Sequence, residues 1–275
     1  MSDSLVHDDF LWCEKYRPKK LDDCILPKEL ISLFKQFTRK GELPNFMFTG
    51  TSGIGKTTVA KALCNEIGAD VLMINGSNEG RLIDTLRTEI VPFASTVSLS
   101  DSPKVIIIDE ADYMNPSTVQ PALRSMIEQY SSNCRFIFTC NYRSRLIDPI
   151  QSRCQVIEFK IQKEQIPTLA ALFYKRIVHI LDQEGITYDK KVLPDLIKKH
   201  FPDFRKTLIE LQSYASSGTV DTGILANISQ DSFNELVYFL REREWLNVRG
   251  WVAKNSDIET FALFRWLYDN SLNIM

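Results

Sequence analysis

The sequence predicts an α/β protein in which a parallel five-stranded sheet, covered by helices, is followed by a region of helices alone. Three observations predict it. Gly50-Thr51-Ser52-Gly53-Ile54-Gly55-Lys56-Thr57 fits a phosphate-binding loop at every fixed position. Short apolar runs alternate with amphipathic stretches from Phe46 to Phe159, the pattern of strands buried on both faces. Beyond residue 160 the strand-like runs stop and helical spacing takes over. This change divides the chain into a nucleotide-binding domain at 1–160, a helical domain at 161–223 and a short helical segment at 224–275.

Residues 1–9 are polar and acidic and read as a loose arm. Trp12 to Asp23 mixes aromatic and basic residues, as a surface that meets a ligand or partner does, and Pro18 excludes a mid-helix there. Leu30, Ile31, Phe34 and Phe37 predict a helix over 28–39, ended by Gly41 and a turn at Pro44. Phe46-Met47-Phe48 reads as a strand, and Val59, Leu63 and Ile67 follow the loop at helical spacing up to Gly68. Strand, loop and helix are the setting a phosphate loop needs. Its glycines turn backbone N–H groups toward an anion at a helix N-terminus, Lys56 can reach the terminal phosphates, and the Thr57 hydroxyl can hold magnesium. The chain therefore binds a nucleoside triphosphate.

Further strands are expected at 71–74, 105–108, 135–139 and 156–159. Helices over 165–181, 190–200 and 203–214 form a three-helix unit, the last with Asp203 as N-cap after Pro202. Ser216 to Gly223 reads as a linker, and helices are expected at 232–241 and 259–272. The last segment carries Phe233, Tyr238, Phe239, Trp245, Trp251, Phe261, Phe264, Trp266 and Tyr268, more apolar surface than so short a piece buries alone, so it should pack on a neighbour.

Composition excludes several classes. With 44% hydrophobic and 25% charged residues the chain is an ordinary folded protein, and a net charge of -2 argues against a wholly basic surface. No run approaches the roughly 18 apolar residues of a membrane span, and the first thirty residues carry acids where a leader would be basic and then apolar, so a cytoplasmic protein without membrane contact is expected. The 6 cysteines show no C-x-x-C spacing and read as small buried hydrophobes.

Around the loop, Val105-Ile106-Ile107-Ile108 ends in Asp109 and Glu110, a Walker B pattern. Parallel strands end on one edge, so Asp109 can lie beside Thr57 and hold magnesium through water, while Glu110 can orient or deprotonate the attacking water. Asp-Glu-Ala-Asp also spells the box of a helicase family, but a later Ser-Ala-Thr box and a second mononucleotide-binding half are lacking. Asn141 follows the fourth strand and can reach the terminal phosphate or the water; alone, such an asparagine reads as a turn residue. Arg153, away from its own loop, can act as a finger on an adjacent subunit's nucleotide; alone, it reads as a surface charge.

Taken together, Gly50 to Thr57, Asp109-Glu110, Asn141, Ser152-Arg153-Cys154 and Pro202-Asp203-Phe204-Arg205 resemble the AAA+ ATPase subunits of sliding-clamp loaders. Ser-Arg-Cys and Glu14-Lys15-Tyr16-Arg17-Pro18 resemble the replication factor C small subunits, and Pro202 to Leu211, Cys24 to Pro27 and Ser131 to Cys134 resemble the small ATPase subunit of T-even-type bacteriophage loaders. The resemblance implies a DNA-dependent ATPase that uses ATP and Mg2+ to open a sliding clamp and place it on primer-template DNA. It implies a hetero-pentamer of copies of this chain with a non-identical subunit, in the host cytoplasm if the source is viral. It assigns nucleotide contacts to Trp12, Tyr16, Arg17, Thr51, Ser52, Gly53, Ile54, Gly55, Lys56, Thr57, Thr58, Asn141 and Arg205. Catalysis falls to Lys56, Asp109, Glu110, Asn141 and Arg205, with Arg153 acting in trans, and magnesium to Thr57 and, through water, Asp109. Arg81, before a helical run, is the expected DNA-phosphate contact, while Gln120 and Arg124 are candidates for linking DNA to the ATP site. Residues 161–223 become a lid and 224–275 a partial oligomerising collar. The competing functions are a branch-migration or helicase-loading ATPase of the same fold, and a scaffold that binds ATP without hydrolysing it.

Overall fold

A computed structural model describes residues 10–77, 84, 86–96, 102–215, 218–220, 230–254, 264 and 267–268. Arg81 and most of the helix expected at 259–272 lie outside these residues. The described chain forms two compact units, Met1–Thr219 and Val220–Met275.

The first unit runs α1 (Trp12–Lys15), α2 (Lys28–Lys40), β1 (Phe46–Thr49), α3 (Lys56–Glu66), β2 (Asp70–Asn75), α4 (Val91–Ser95), β3 (Lys104–Asp109), α5 (Val119–Gln129), β4 (Cys134–Cys140), α6 (Asp148–Gln151) and β5 (Gln155–Glu158). The five strands are parallel in the order β2-β3-β4-β1-β5. Alternate residues divide between the two faces, as the strand period of two requires. Met47, Ile106, Ile108, Phe136 and Phe138 pack on one side with Leu123 and Ile127 of α5. Phe46, Phe48, Val105, Ile107 and Ile137 pack on the other with Phe34 of α2 and Val59 and Leu63 of α3. Phe34 meets Phe48 edge-on at 5.5 Å, so β1, the strand that delivers the phosphate loop, is held by fully buried aromatic rings.

Register fixes which ends coincide. Phe46 pairs with Ile137 and Gln155, and Thr49 with Cys140 and Glu158. Asn75 pairs with Asp109. The loop after β1, the acids after β3 and Asn141 after β4 therefore share one edge, whereas Arg153, before β5, belongs to the opposite edge.

Three lid helices follow: α7 (Ile166–Gln183), α8 (Val192–His200) and α9 (Phe204–Ala215). Phe173 of α7 packs edge-on against Phe204 of α9 at 4.7 Å. The N-terminal arm is sewn onto this lid. Trp12 N–H donates to Gln212 Oε1 (2.9 Å), Gln212 Nε2 donates to the Phe10 carbonyl (2.6 Å), Tyr16 Oη and Lys15 Nζ donate to Glu184 Oε1 (2.6 and 2.8 Å), and Arg176 donates to the Tyr16 carbonyl (2.8 Å).

The second unit contains α10 (Gln230–Arg241) and α11 (Trp245–Lys254), joined through Arg243 at φ 57°. Sequence periodicity does not announce α11, because Gly250 and the neighbouring asparagine and β-branched residues are weak helix formers. Tyr238, Leu240, Trp245, Leu246 and Val252 are exposed.

Among the described residues no helix is long and apolar enough to cross a membrane. The cysteines are free, and burial pushes the thiols of Cys24, Cys64 and Cys154 up to about 12 and those of Cys134 and Cys140 up to about 11.

Between α8 and α9, Glu210 accepts from Lys199 Nζ at 2.8 Å and pairs with the Nε2 of buried His200. Burial acts to raise the Glu210 carboxyl, but the hydrogen bonds from His200 and Lys199 and their charges outweigh it and bring it down to about 2. A depressed folded-state value stabilises the fold above the unfolded carboxyl's range, and that stabilisation disappears as pH falls toward 2. Glu210→Gln should cost about 1–2 kcal/mol at neutral pH, since solvent screening reduces the effect at this partly exposed pair. In urea unfolding the gap between wild type and variant should close between about pH 5 and 2. A gap that stays constant with pH would exclude the ion pair as its cause.

Candidate functional site

The phosphate loop takes its shape from residues that only glycine can be. Gly53 has φ 72°, and a Cβ there would lie 1.8 Å from Asp203 Oδ1. Gly50 has φ 152°, and a Cβ would lie 2.7 Å from the Phe159 carbonyl. The loop is thus pressed between the end of the sheet and the start of α9, where Phe204 N–H donates to the Gly53 carbonyl at 3.2 Å.

Lys56 opens α3 and is 8% exposed. Its ammonium donates to the carbonyls of Gly50 (2.8 Å) and Thr51 (2.9 Å) and to Asn141 Oδ1 (2.8 Å). Burial lowers its pKa, against nearby groups including Asp109 and Asp112 that raise it. A bound polyphosphate adds further negative charge and secures the ammonium form. Next along α3, Thr57 Oγ1 donates to Asp109 Oδ1 at 2.6 Å, and Thr139 Oγ1 donates to the same oxygen. Glu110 follows in a left-handed conformation (φ 54°, ψ 41°), fixed by its N–H on Thr139 Oγ1 at 3.2 Å. Four predicted residues, Lys56, Thr57, Asp109 and Asn141, are therefore linked directly, and Glu110 adjoins them.

A cleft lies between this edge and the lid. It is lined from the loop by Ser52 to Thr58, from the strand ends by Asp109, Glu110 and Asn141, from the arm by Cys13, Tyr16 and Arg17, and from the lid by Phe173, Arg176 and Arg205. Thr51 contributes its carbonyl to Lys56. Trp12 is not among the residues that line the cleft. It is 5% exposed, and the turn of α1 presents Cys13 to the cleft in its place. Arg17 Nε is buried without a hydrogen-bond partner among the described residues, a donor available to a ligand in the cleft.

At the opposite edge, Arg153 Nε donates to Glu128 Oε1 at 2.7 Å and its carbonyl accepts from Asn45 Nδ2 at 3.4 Å, just before β1. Gln120 is fully buried: Nε2 donates to the carbonyls of Met114 and Arg145 (both 3.0 Å) and Oε1 accepts from Ile147 N–H (2.8 Å).

Residues 46–161 match the model of the ATPase family associated with various cellular activities (AAA), and 169–226 match that of the sliding-clamp-loader large subunit, AAA+ ATPase lid domain. The sliding-clamp-loader large subunit of Escherichia phage RB69 is 38% identical over 262 residues, 93% of this chain and 79% of that protein. Its counterpart in Enterobacteria phage T4 is 41% identical over 247 residues, 88% and 76% of the two chains. The chain belongs to the sliding-clamp-loader large subunit family. The replication factor C small subunit of Saccharolobus solfataricus is 38% identical over 220 residues, covering 78% of this chain and 64% of that one. The phage relatives carry the name large subunit and the archaeal ones small subunit, so the ATPase subunit described above as small is the one named large in these phages. The RuvB Holliday junction branch migration motor of Thermotoga maritima superposes with a TM-score of 0.62 over 92% of this chain and 90% of its own, at 17% identity, which shows a shared fold.

This clamp-loader subunit is thus an AAA+ ATPase that binds and hydrolyses ATP. Sequence reading did not find the role of Asp112, although it had spelled out the residue: 4% exposed, it accepts the N–H groups of Asn141 (3.3 Å) and Tyr142 (3.2 Å), and so fixes the turn that aims Asn141. The only signal was an acid two places after Glu110. Nor did it find Arg176 and Glu184, which tie the arm to the lid across at least 160 residues.

The arm's place in the cleft can be measured on Cys13. Burial and the adjacent Glu14 raise its thiol pKa, so alkylation should be slow, and ATP should slow it severalfold further. An alkylation rate at Cys13, read by peptide mass spectrometry, that ignores ATP would remove the arm from the site.

Proposed function

We propose that this chain is an ATP-hydrolysing subunit of a clamp loader that opens a sliding clamp, places it on primer-template DNA and lets it close when ATP is cleaved. It works among copies of itself and a non-identical subunit. Lys56 binds the terminal phosphates, Glu110 orients or deprotonates the attacking water, Asn141 contacts the terminal phosphate or that water, and Arg205 reaches the phosphates from the first turn of α9. Tyr16 and Arg17 border the base. Thr57 offers a hard oxygen donor to Mg2+ and Asp109 another through water, which suits an ion that keeps most of its coordination for phosphate and water; among the described residues no group of three or more His, Cys, Asp or Glu forms a cage. When bound, the ion neutralises developing phosphate charge. Arg81 is the proposed contact to the DNA backbone, and the exposed aromatics of α10 and α11 the proposed contact between subunits.

The observation that carries this reading is the location of Arg153 at the sheet edge opposite its own phosphate loop. The register of Phe46 with Gln155 and of Thr49 with Glu158 separates them by the length of β1. An arginine finger there serves a neighbouring nucleotide.

Arg153→Ala should leave ATP affinity within about twofold while lowering turnover on the order of a thousandfold in the assembly. Loss of affinity without loss of turnover would refute a finger in trans. Wild-type hydrolysis should rise with clamp and primed DNA, and no response to either would refute clamp loading. Gln120→Ala, which leaves two carbonyls and an N–H unpaired, should lower DNA-stimulated hydrolysis more than basal hydrolysis. Equal losses would contradict a linking role for Gln120.

A further inference from the structure

Helix α5 crosses the domain from one functional edge to the other. Near its start Gln120 is bonded to the loops that follow Asp112 and Asn141; at its end Glu128 meets Arg153. Eight residues separate the two, a rise of about 12 Å.

The contact at the far end is specific. Arg153 Nε and Nη2 both donate to Oε1 of Glu128, while Nη1 donates to the Pro149 carbonyl at 2.6 Å. Nη1 also donates to Ser152 Oγ at 3.4 Å. A guanidinium carries five N–H donors in one plane, so four anchored donors fix that plane and leave one, on Nη2, for a phosphate. The side chain is 28% exposed, enough for an incoming group to reach it. Glu128 does not cancel the charge of the finger, because Arg124 Nε lies 4.0 Å from the same Glu128 oxygen. Two cations and one carboxylate leave the cluster positive, so Glu128 holds the arginine without neutralising the site. Without it, a long flexible side chain would have to be ordered at the moment of reaction, at a cost in rotamer entropy.

We propose that Glu128 is the positioning residue of the trans-acting arginine: it aims the Arg153 guanidinium at the neighbouring subunit's nucleotide. The proposal rests on the reading of Arg153 as a finger.

The test is steady-state ATP hydrolysis by the assembled full-length chain, with clamp and primed DNA, for Glu128→Ala, Glu128→Gln, Arg153→Ala and the Glu128→Ala/Arg153→Ala double variant, alongside ATP affinity for each. Glu128→Ala should lower kcat on the order of ten- to a hundredfold, the scale of a misplaced catalytic group, with ATP affinity within about twofold of wild type. Glu128→Gln, which keeps an acceptor oxygen, should recover part of the loss. The double variant should be no slower than Arg153→Ala, because the carboxylate acts only through the arginine. Turnover of Glu128→Ala at or above the wild-type rate, with Arg153→Ala impaired, would overturn the positioning role and leave the finger intact. A double variant markedly slower than Arg153→Ala would also overturn it. Normal turnover of Arg153→Ala would overturn the finger itself, and the inference with it.

Discussion

A single buried ammonium holds the nucleotide edge together. Lys56 is anchored by helix α3, yet its three hydrogen bonds go to two carbonyls of the phosphate loop and to Asn141, beyond the neighbouring strand. An ammonium that has lost water needs such partners, and these same contacts tie the phosphate loop to the residue that follows β4. Polyphosphate oxygens are better partners for it than neutral carbonyls. On the proposed reading, a bound polyphosphate would compete with these carbonyls and with Asn141 for the Lys56 ammonium.

The lid and arm extend this arrangement over the nucleotide. Phe204 and Asp203 press directly on Gly53, so α9, which carries Arg205, cannot move without the loop feeling it. The arm bonds to α7 and α9 of the lid, so the Tyr16 and Arg17 wall of the cleft travels with the lid helices. Loop, lid and arm, far apart in sequence, are thus joined by direct contacts around one cleft.

Much of this was legible in the sequence, for identifiable reasons. The loop, the five strands, Asp109 and Asn141 announce themselves through local pattern: glycine placement, short continuous apolar runs and the residue after each strand. The helices of the lid follow from 3.6-residue spacing, and their ends differ from expectation by at most two residues. What stayed hidden depends on long-range partners. Asp112 looked like part of a motif and is instead the anchor of a turn 29 residues away. Sequence reading singles out Gln120 as a link between DNA and the ATP site, but its buried bonds to Met114, Arg145 and Ile147 depend on the fold, and Glu128 reads as an ordinary helix face until Arg153 is brought to it. Trp12 was grouped with its aromatic and basic neighbours, yet one residue step, about 100° of helix rotation, separates buried Trp12 from Cys13, which faces the cleft.

The edge that carries Lys56 and the edge that carries Arg153 cannot act on one nucleotide, so the central claim is that each site is completed by another copy. Mixing subunits tests it most directly. Lys56→Ala subunits retain the arginine but lack a working site, and Arg153→Ala subunits retain the site but lack the arginine. Each alone should be inactive, and the mixed assembly should regain a substantial fraction of wild-type hydrolysis. A mixture as inactive as its components, under conditions where both variants assemble, would contradict the shared site.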